Sequence, residues 1–158
     1  MNQTILLRGR EHQLVVVADG NPRAAVRIEG DRILVYVGQG SQAAVRRALN
    51  RWFRSQADIS IKQAVWRASR ALGLQPGKIA IRNQRTRWGS CSNEGNLSFN
   101  MKLIAAPPEV LEYVVVHELM HLKERNHSDR FWELVRSQCR DYVQAREWLR
   151  RNALRVDI

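Results

Sequence analysis

The sequence predicts an α+β fold, and three observations support this class. Short β-branched runs separated by turns fill the first forty residues, apolar residues three and four apart follow over residues 41–73, and a strand pattern returns at Lys78 before the last helices. The chain has 158 residues, of which 44% are hydrophobic. This is enough for one globular core but leaves little room for two independent ones. We therefore expect a single domain over residues 1–158.

The composition also excludes several classes of protein. No apolar run approaches the roughly 20 residues that cross a bilayer, and Arg8, Arg10 and Glu11 precede any apolar block, which is unlike a secretory signal peptide. Cys91 and Cys139 are too few for a disulfide framework. We expect a cytoplasmic protein that does not associate with membranes.

The N-terminal half is predicted to contain a β-ribbon and two helices. Residues 24–28 and 33–37 flank a Gly-containing turn, which predicts an antiparallel β-ribbon within residues 1–40. Residues 41–73 are predicted to form a helix pair: Ser41 is a suitable N-cap for the first helix, and the second begins near Ser60 and ends at Gly73.

The C-terminal half is predicted to form a second hairpin and three helices. Residues 85–92 and 97–100 read as strands joined by the turn at 93–96. A helix should run from Glu109 to Lys123 because Pro107 and Pro108 suit its first turn. Another helix should begin after Ser128, and a basic helix should close the chain near Arg151.

Three of the four histidines lie close together, at His117, His121 and His127. Positions four apart on a helix differ by about 40° in azimuth, so His117 and His121 project from one face and can bind one ion. His127 joins them only if the chain turns near Asn126, a residue suited to a left-handed helix terminus. Three neutral imidazoles with one open position are the donor set of a catalytic zinc site. We therefore expect one Zn²⁺ ion.

The residue after the first histidine is a carboxylate. Glu118 can take the proton of a zinc-activated water and pass it to the leaving group, which predicts a general base. The third ligand is less constrained by the spacing. His127 is our preferred ligand, and three nearby carboxylates are alternatives: Glu124, Asp129 and Glu133.

Several motifs surround the histidines over residues 78–135, more than a third of the chain. They are RTRWGSCS at 85–92, LSFN at 97–100, APP at 106–108, YVVVHELMHL at 113–122, NHS at 126–128 and FW at 131–132. Together they resemble the YgjP-like metallopeptidase domain family, although Met120 stands where that family commonly has Cys. The resemblance implies a zincin-like fold related to the SprT and WLM metalloproteases.

The same resemblance implies the site residues and the organisation of the domain. It implies zinc ligation by His117, His121 and His127, with Glu118 as catalytic base. The catalytic core would span residues 78–140, after the ribbon and the helix pair, and residues 141–158 would form a C-terminal helix and tail. A peptide or protein substrate is the implied partner.

Two arginine residues near the motif have two possible roles. Arg85 and Arg87 alternate on the predicted strand, so both can face the metal and stabilise an oxyanion or a phosphate; an ion pair with Glu109 or Glu112 is an equal alternative. Four further residues are expected to be structural. Trp88 and Trp132 should pack in the core, Cys91 should be a buried thiol, and His12 should lie on the surface.

The charge keeps two other functions open beside a zinc metallopeptidase. There are 26 basic and 15 acidic side chains, a net charge of +11, which favours anionic partners. One alternative is a nucleotide phosphohydrolase that uses zinc or another metal. The other is a nucleic-acid-associated protease or binding module.

Overall fold

The computed structural model of the chain describes residues 3–153. It confirms the α+β class, with two small sheets and four α-helices. The elements are β1 (Thr4–Leu7), β2 (Arg10–Ala18), β3 (Ala25–Glu29), β4 (Arg32–Val37), α1 (Gln42–Leu72), β5 (Ile79–Arg82), β6 (Gly89–Cys91), β7 (Leu97–Asn100), a 3-10 helix (Met101–Ala105), α2 (Pro108–Met120), α3 (Asp129–Gln138) and α4 (Tyr142–Asn152).

The N-terminal sheet has the strand order β1-β2-β4-β3. The predicted hairpin of β3 and β4 is confirmed, and its turn uses Gly30 at a φ of 59°. The sheet is nevertheless mixed, and not the antiparallel ribbon that we predicted, because β2 and β4 pair in parallel. The most apolar strand, β4, takes the central position, where Ile33 and Val35 are fully buried.

A single helix of 31 residues, α1, replaces the predicted helix pair. The Ser41 side chain caps its first turn, and Gly73 ends it in the left-handed conformation at a φ of 66°, as the sequence predicts. The stretch between the two expected helices contains neither Gly nor Pro. Its Ala57 continues the buried stripe from Phe53 to Ile61, so nothing interrupts the helix.

The second sheet has the order β5-β7-β6, so β6 lies at an edge. Strands β6 and β7 form the predicted antiparallel hairpin, while β5 joins β7 in parallel. Our prediction of a strand from residue 85 was wrong, because β6 begins only at Gly89. Residues 83–88 form a connection without strand pairing.

Helix α2 lies at the centre of the molecule, between α1 and the three-stranded sheet, and it packs on α3 and α4. Its Val115 and Leu119 have no exposed surface. The buried apolar side chains of both halves of the chain form one continuous cluster. No helix within residues 3–153 is long and apolar enough to cross a membrane. His12, expected on the surface, is buried in β2, and its Nδ1 bonds to the Arg10 carbonyl.

Candidate metal centre

The C-terminal end of α2 positions two of the three histidines. The helix starts at Pro108, as the two prolines predict, and ends at Met120, three residues earlier than expected. His117 therefore lies in the last turn, and His121 is the C-cap residue. Their ring centroids are 5.0 Å apart, so the spacing of four residues brings both imidazoles to one face.

The loop after α2 brings His127 to the same place. Hydrogen-bonded turns follow the helix directly, for example from the Glu124 amide to the Met120 carbonyl. Asn126 does not adopt the left-handed conformation that we expected, since Arg8 is the one non-glycine residue with positive φ among residues 3–153. Ser128 caps α3 as predicted, and His127 lies just before that cap.

The three imidazoles form a cluster that can hold a metal ion. One ring nitrogen of each of His117, His121 and His127 lies within 4.8 Å of the others. The Nε2 atoms of His117 and His127 are 3.3 Å apart, and two nitrogens sharing a tetrahedral zinc ion at 2.0–2.1 Å are separated by about 3.3 Å. This donor set fits a divalent cation. The alternative carboxylates of Glu124, Asp129 and Glu133 lie outside the cluster.

Each ring has a different contact that orients it. The Nδ1 of His121 lies 3.1 Å from the backbone carbonyl oxygen of Glu124. The Nδ1 of His117 lies 3.3 Å from the hydroxyl of Tyr113. His127 stacks on Trp132 with the ring planes 24° apart. Both helix-end histidines thus turn Nδ1 towards a neighbour, which leaves Nε2 for the cluster.

Burial favours the neutral, metal-binding form of His117 and His121. Desolvation, reinforced by His121, His127 and Arg146, lowers the pKa of His117 to about 3. Desolvation also lowers the pKa of His121. The lone pair that a metal needs is therefore available on His117 at neutral pH.

The carboxylate of Glu118 lies beside the cluster and is 4% exposed. Its Oε1 is 3.8 Å from the Nε2 of His117, and its buried Oε2 has no hydrogen-bond partner among residues 3–153. Desolvation raises its pKa to about 7, although the charge of Arg87 acts in the opposite direction. A buried carboxylate oxygen without a partner is costly unless a ligand or a proton satisfies it.

The arginine residues of the site lie on a loop and not on a strand. Arg85 and Arg87 are exposed and fall within the connection 83–88, so their expected alternation on one strand face was wrong. Neither makes an ion pair with Glu109 or Glu112 in the described part of the chain. Arg87 is close enough to act on the charge of Glu118, whereas Arg85 is not among the groups that do so.

Asn100 anchors this loop, and sequence reasoning missed it. Its side-chain amide donates to the carbonyl oxygens of Gln84 at 2.7 Å and Arg87 at 2.8 Å, and its Oδ1 accepts from the amide of Lys102. Asn100 is 3% exposed. The role of Asn100 could have been predicted from its place at the end of the LSFN motif. A buried side-chain amide at the end of a strand needs hydrogen-bond partners, and the neighbouring loop supplies them.

Helix α4 adds a cation that the sequence did not indicate. The guanidinium of Arg146 lies 4.5 Å from the ring centroid of Trp132, and its charge acts on His117. Trp132 packs partly against the core, as predicted, but it also contacts the rings of His117 and His127. The separation of 29 residues between Arg146 and His117 explains why no local pattern connects them.

Trp88 and Cys91 contribute to packing, as the sequence predicts. Trp88 and Cys91 are both half-buried and pack against the core. Cys91 is a free thiol outside the histidine cluster. Its Sγ lies 3.6 Å from the carbonyl oxygen of Ser92, and burial raises the pKa of the thiol.

Comparison with known proteins adds independent information. The family model described as YgjP-like, metallopeptidase domain, matches residues 1–152. The structure is similar to the metallopeptidase zymogen abylysin of Pyrococcus abyssi, with 28% identity, 48% of this chain and 76% of that chain covered, and a TM-score of 0.44. It is also similar to the metallopeptidase zymogen jannalysin of Methanocaldococcus jannaschii, with 23% identity, 57% and 95% coverage, and a TM-score of 0.48.

No curated protein matches the chain. The family match extends over nearly the whole sequence and includes the histidine cluster. The chain therefore belongs to the YgjP-like metallopeptidase domain family and is a metal-dependent peptidase.

Proposed function

We propose that the protein is a zinc metallopeptidase in which His117, His121 and His127 bind one Zn²⁺ ion and Glu118 is the general base. One observation carries this proposal: three convergent imidazoles lie beside a buried carboxylate whose Oε2 has no partner within residues 3–153. When bound, zinc supplies a Lewis acid that polarises a carbonyl group and makes water more acidic. Imidazole sites also accept other first-row ions, so zinc is part of the proposal.

The position of Glu118 beside the cluster supports a role in proton transfer. Its Oε2 is free to accept a proton from the attacking water and to donate it to the amine that leaves, which converts a poor leaving group into a neutral one. Its Oε1 lies 3.8 Å from the Nε2 of His117, so the carboxylate borders the cluster. Gly89 leaves the space for it, since a Cβ there would lie 3.1 Å from the Cγ of Glu118.

Strand β6 provides a surface for an extended peptide. It pairs with β7 on one side, and its other edge has no strand partner within the described residues. An extended substrate can add to such an edge through main-chain hydrogen bonds. The same strand packs against α2, so a peptide bound along β6 would pass close to Glu118.

Two substitutions test this assignment together. Glu118→Gln removes the base but keeps the shape, so we expect zinc binding and folding to persist while peptide hydrolysis is lost. His117→Ala should reduce zinc binding as well as activity. Elemental analysis of protein purified without added metal measures the ion. Turnover retained in Glu118→Gln, or full zinc affinity in His117→Ala, would contradict the proposal.

Phosphate-ester hydrolysis is a second candidate because Arg87 places a cation near Glu118 and the chain carries a net charge of +11. The same ion would then serve a nucleotide substrate. Assaying the zinc-loaded protein on a peptide library and on nucleoside triphosphates separates the two. We expect cleavage of peptides and none of the nucleotides.

Three broader assignments are also proposals. We propose that residues 1–158 act as one hydrolase domain, supported by the continuous buried cluster within residues 3–153. A cytoplasmic location is supported by the free thiols of Cys91 and Cys139, which suit a reducing compartment. The net charge of +11 supports nucleic acid as a further partner, and steeply salt-dependent DNA binding would test it.

A further inference from the structure

We infer that Tyr113 is the positioning residue for His117. Its hydroxyl oxygen accepts a hydrogen bond from the Nδ1–H of His117 and holds that ring with Nε2 turned towards the other two imidazoles. This inference rests on the proposed function, because it concerns the role of His117 as a metal ligand. The sequence analysis predicted no function for Tyr113 itself.

The contact is built into α2. Tyr113 and His117 are four residues apart, so their side chains lie on the same face of the helix. The hydroxyl oxygen and Nδ1 are 3.3 Å apart, and the two rings meet edge to face, with planes at 71°. Tyr113 is 4% exposed, so the surrounding core restricts the movement of its ring.

The direction of the hydrogen bond follows from the chemistry of a neutral imidazole. Such a ring carries one proton, and the nitrogen that binds a metal must be the one without it. Nε2 of His117 faces the cluster, 3.3 Å from Nε2 of His127, so the proton belongs on Nδ1. The Tyr113 hydroxyl accepts that proton's hydrogen bond, which opposes rotation of the ring and selects the tautomer.

His117 is the ligand for which a side chain performs this task through a hydrogen bond. The Nδ1 of His121 faces the backbone carbonyl of Glu124, which no substitution removes directly. His127 is held by stacking on Trp132. Tyr113 therefore offers a single oxygen atom whose removal alters the orientation of one ligand and leaves the contacts of the other two.

The test compares Tyr113→Phe with Tyr142→Phe. Tyr142 is a matched control because its ring stacks on Trp132 at 5.4 Å, and removing its hydroxyl keeps that stacking. Zinc affinity is measured on the full chain by competition with a chelator. Removing a hydrogen-bond partner of a ligand typically weakens metal binding by roughly 10- to 100-fold. We expect a loss in this range for Tyr113→Phe and a change below about twofold for Tyr142→Phe.

A second measurement separates positioning from general loss of packing. In zinc-loaded protein with ¹⁵N-labelled histidine, the Nδ1–H of His117 should give a slowly exchanging NMR signal that Tyr113→Phe loses or broadens. The signals of His121 should stay in place. A structural role alone would not act on one ring proton selectively.

Three results would overturn the inference. They are an unchanged zinc affinity in Tyr113→Phe, an equal loss in both phenylalanine variants, and a persistent, slowly exchanging His117 Nδ1–H signal in Tyr113→Phe. Failure of the proposed function itself is distinguishable. In that case His117→Ala would bind zinc as tightly as the unsubstituted protein, whereas weak binding by His117→Ala with normal binding by Tyr113→Phe would refute only the role of Tyr113.

Discussion

Gly89 and Glu118 are packed so closely that a side chain on the glycine would fit only if a neighbour moved by a few tenths of an ångström. A Cβ on Gly89 would lie 3.1 Å from the Cγ of Glu118, 3.3 Å from the Ser98 carbonyl oxygen and 3.3 Å from a Val114 methyl carbon. The edge strand and the helix that carries Glu118 therefore meet at this residue. The glycine at position 89 therefore allows the side chain of Glu118 to pack directly against β6.

We predict that Gly89→Ala strongly lowers kcat/KM for peptide hydrolysis and has a smaller effect on the free energy of unfolding. The new methyl group must displace Glu118, Ser98 or Val114, and overpacking of this kind costs about 1–3 kcal/mol. Thermal or urea unfolding measures that cost, and kcat/KM measures displacement of the base. Ser90→Ala, one residue further on β6, is the control, with activity close to that of the unsubstituted protein. Unchanged kcat/KM in Gly89→Ala would contradict the prediction.

We predict that the pH dependence of stability in metal-free protein changes when Glu118 is replaced. Desolvation lowers the pKa of His117 from 6.5 to about 3 and raises that of Glu118 from 4.5 to about 7. Between pH 4.5 and 6.5, the unfolded state therefore holds a proton on His117 that the folded state lacks. The folded state holds one on Glu118 that the unfolded state lacks, so the two contributions to the slope cancel.

The substitution Glu118→Gln removes one side of this balance. The unfolded state then binds more protons than the folded state, so the free energy of unfolding should rise with pH relative to the unsubstituted protein, by about 1 kcal/mol per pH unit. Urea titrations of both metal-free proteins at several pH values measure the difference. Parallel curves between pH 4.5 and 6.5 would refute the opposing shifts.

We predict that Asn100→Asp loosens the loop that carries Arg87. Aspartate keeps the acceptor for the Lys102 amide but cannot donate to the carbonyl oxygens of Gln84 and Arg87. Losing buried donors of this kind should cost about 2 kcal/mol of unfolding free energy. Asn93→Asp is the matched control, because the Oδ1 of Asn93 accepts from Arg125 and a carboxylate still accepts there.

Two measurements follow the loop in the Asn100→Asp variant. Hydrogen exchange of the amides of residues 83–88 should accelerate, and unfolding in urea should begin at lower concentration. The Asn93→Asp variant should change neither. Equal exchange rates in the unsubstituted protein and in Asn100→Asp would show that another contact holds the loop.

We predict that Arg87→Gln moves the acidic limb of the pH–activity profile to higher pH. Arg87 lowers the pKa of Glu118, so its removal raises that pKa and requires a higher pH to obtain the carboxylate form. Arg85→Gln should leave the limb in place, since Arg85 is not among the groups that act on Glu118. The profile of kcat/KM against pH measures both. A shift of equal size in the two variants would attribute the effect to net charge.

The local patterns of the sequence predicted most of the elements near the histidines. The caps at Ser41, Gly73 and Ser128 and the start of α2 at the prolines are set by residues within one helical turn. The convergence of His117 and His121 follows from helical spacing alone. His127 required a turn, whose existence was predicted but whose conformation at Asn126 was not.

Features that depend on distant parts of the chain were missed or wrong. The parallel pairing of β2 with β4 depends on which strand takes the central position of the sheet, and this is decided by burial and not by the turn sequences. The alternation of Arg85 and Arg87 is typical of a strand. Their segment is nevertheless a loop, and the Asn100 side chain donates hydrogen bonds to its backbone carbonyl oxygens. Arg146 reaches the site through the packing of α4, which no local spacing encodes.

The unbroken course of α1 has a mechanical consequence. At 1.5 Å per residue, its 31 residues form a rod of about 46 Å, and it packs against both sheets as well as α2. A truncated chain that starts at Lys78 lacks α1 and would expose to solvent the side of α2 that packs against it. The N-terminal half thus covers the helix that carries His117 and His121. We expect the chain that starts at Lys78 to aggregate instead of folding.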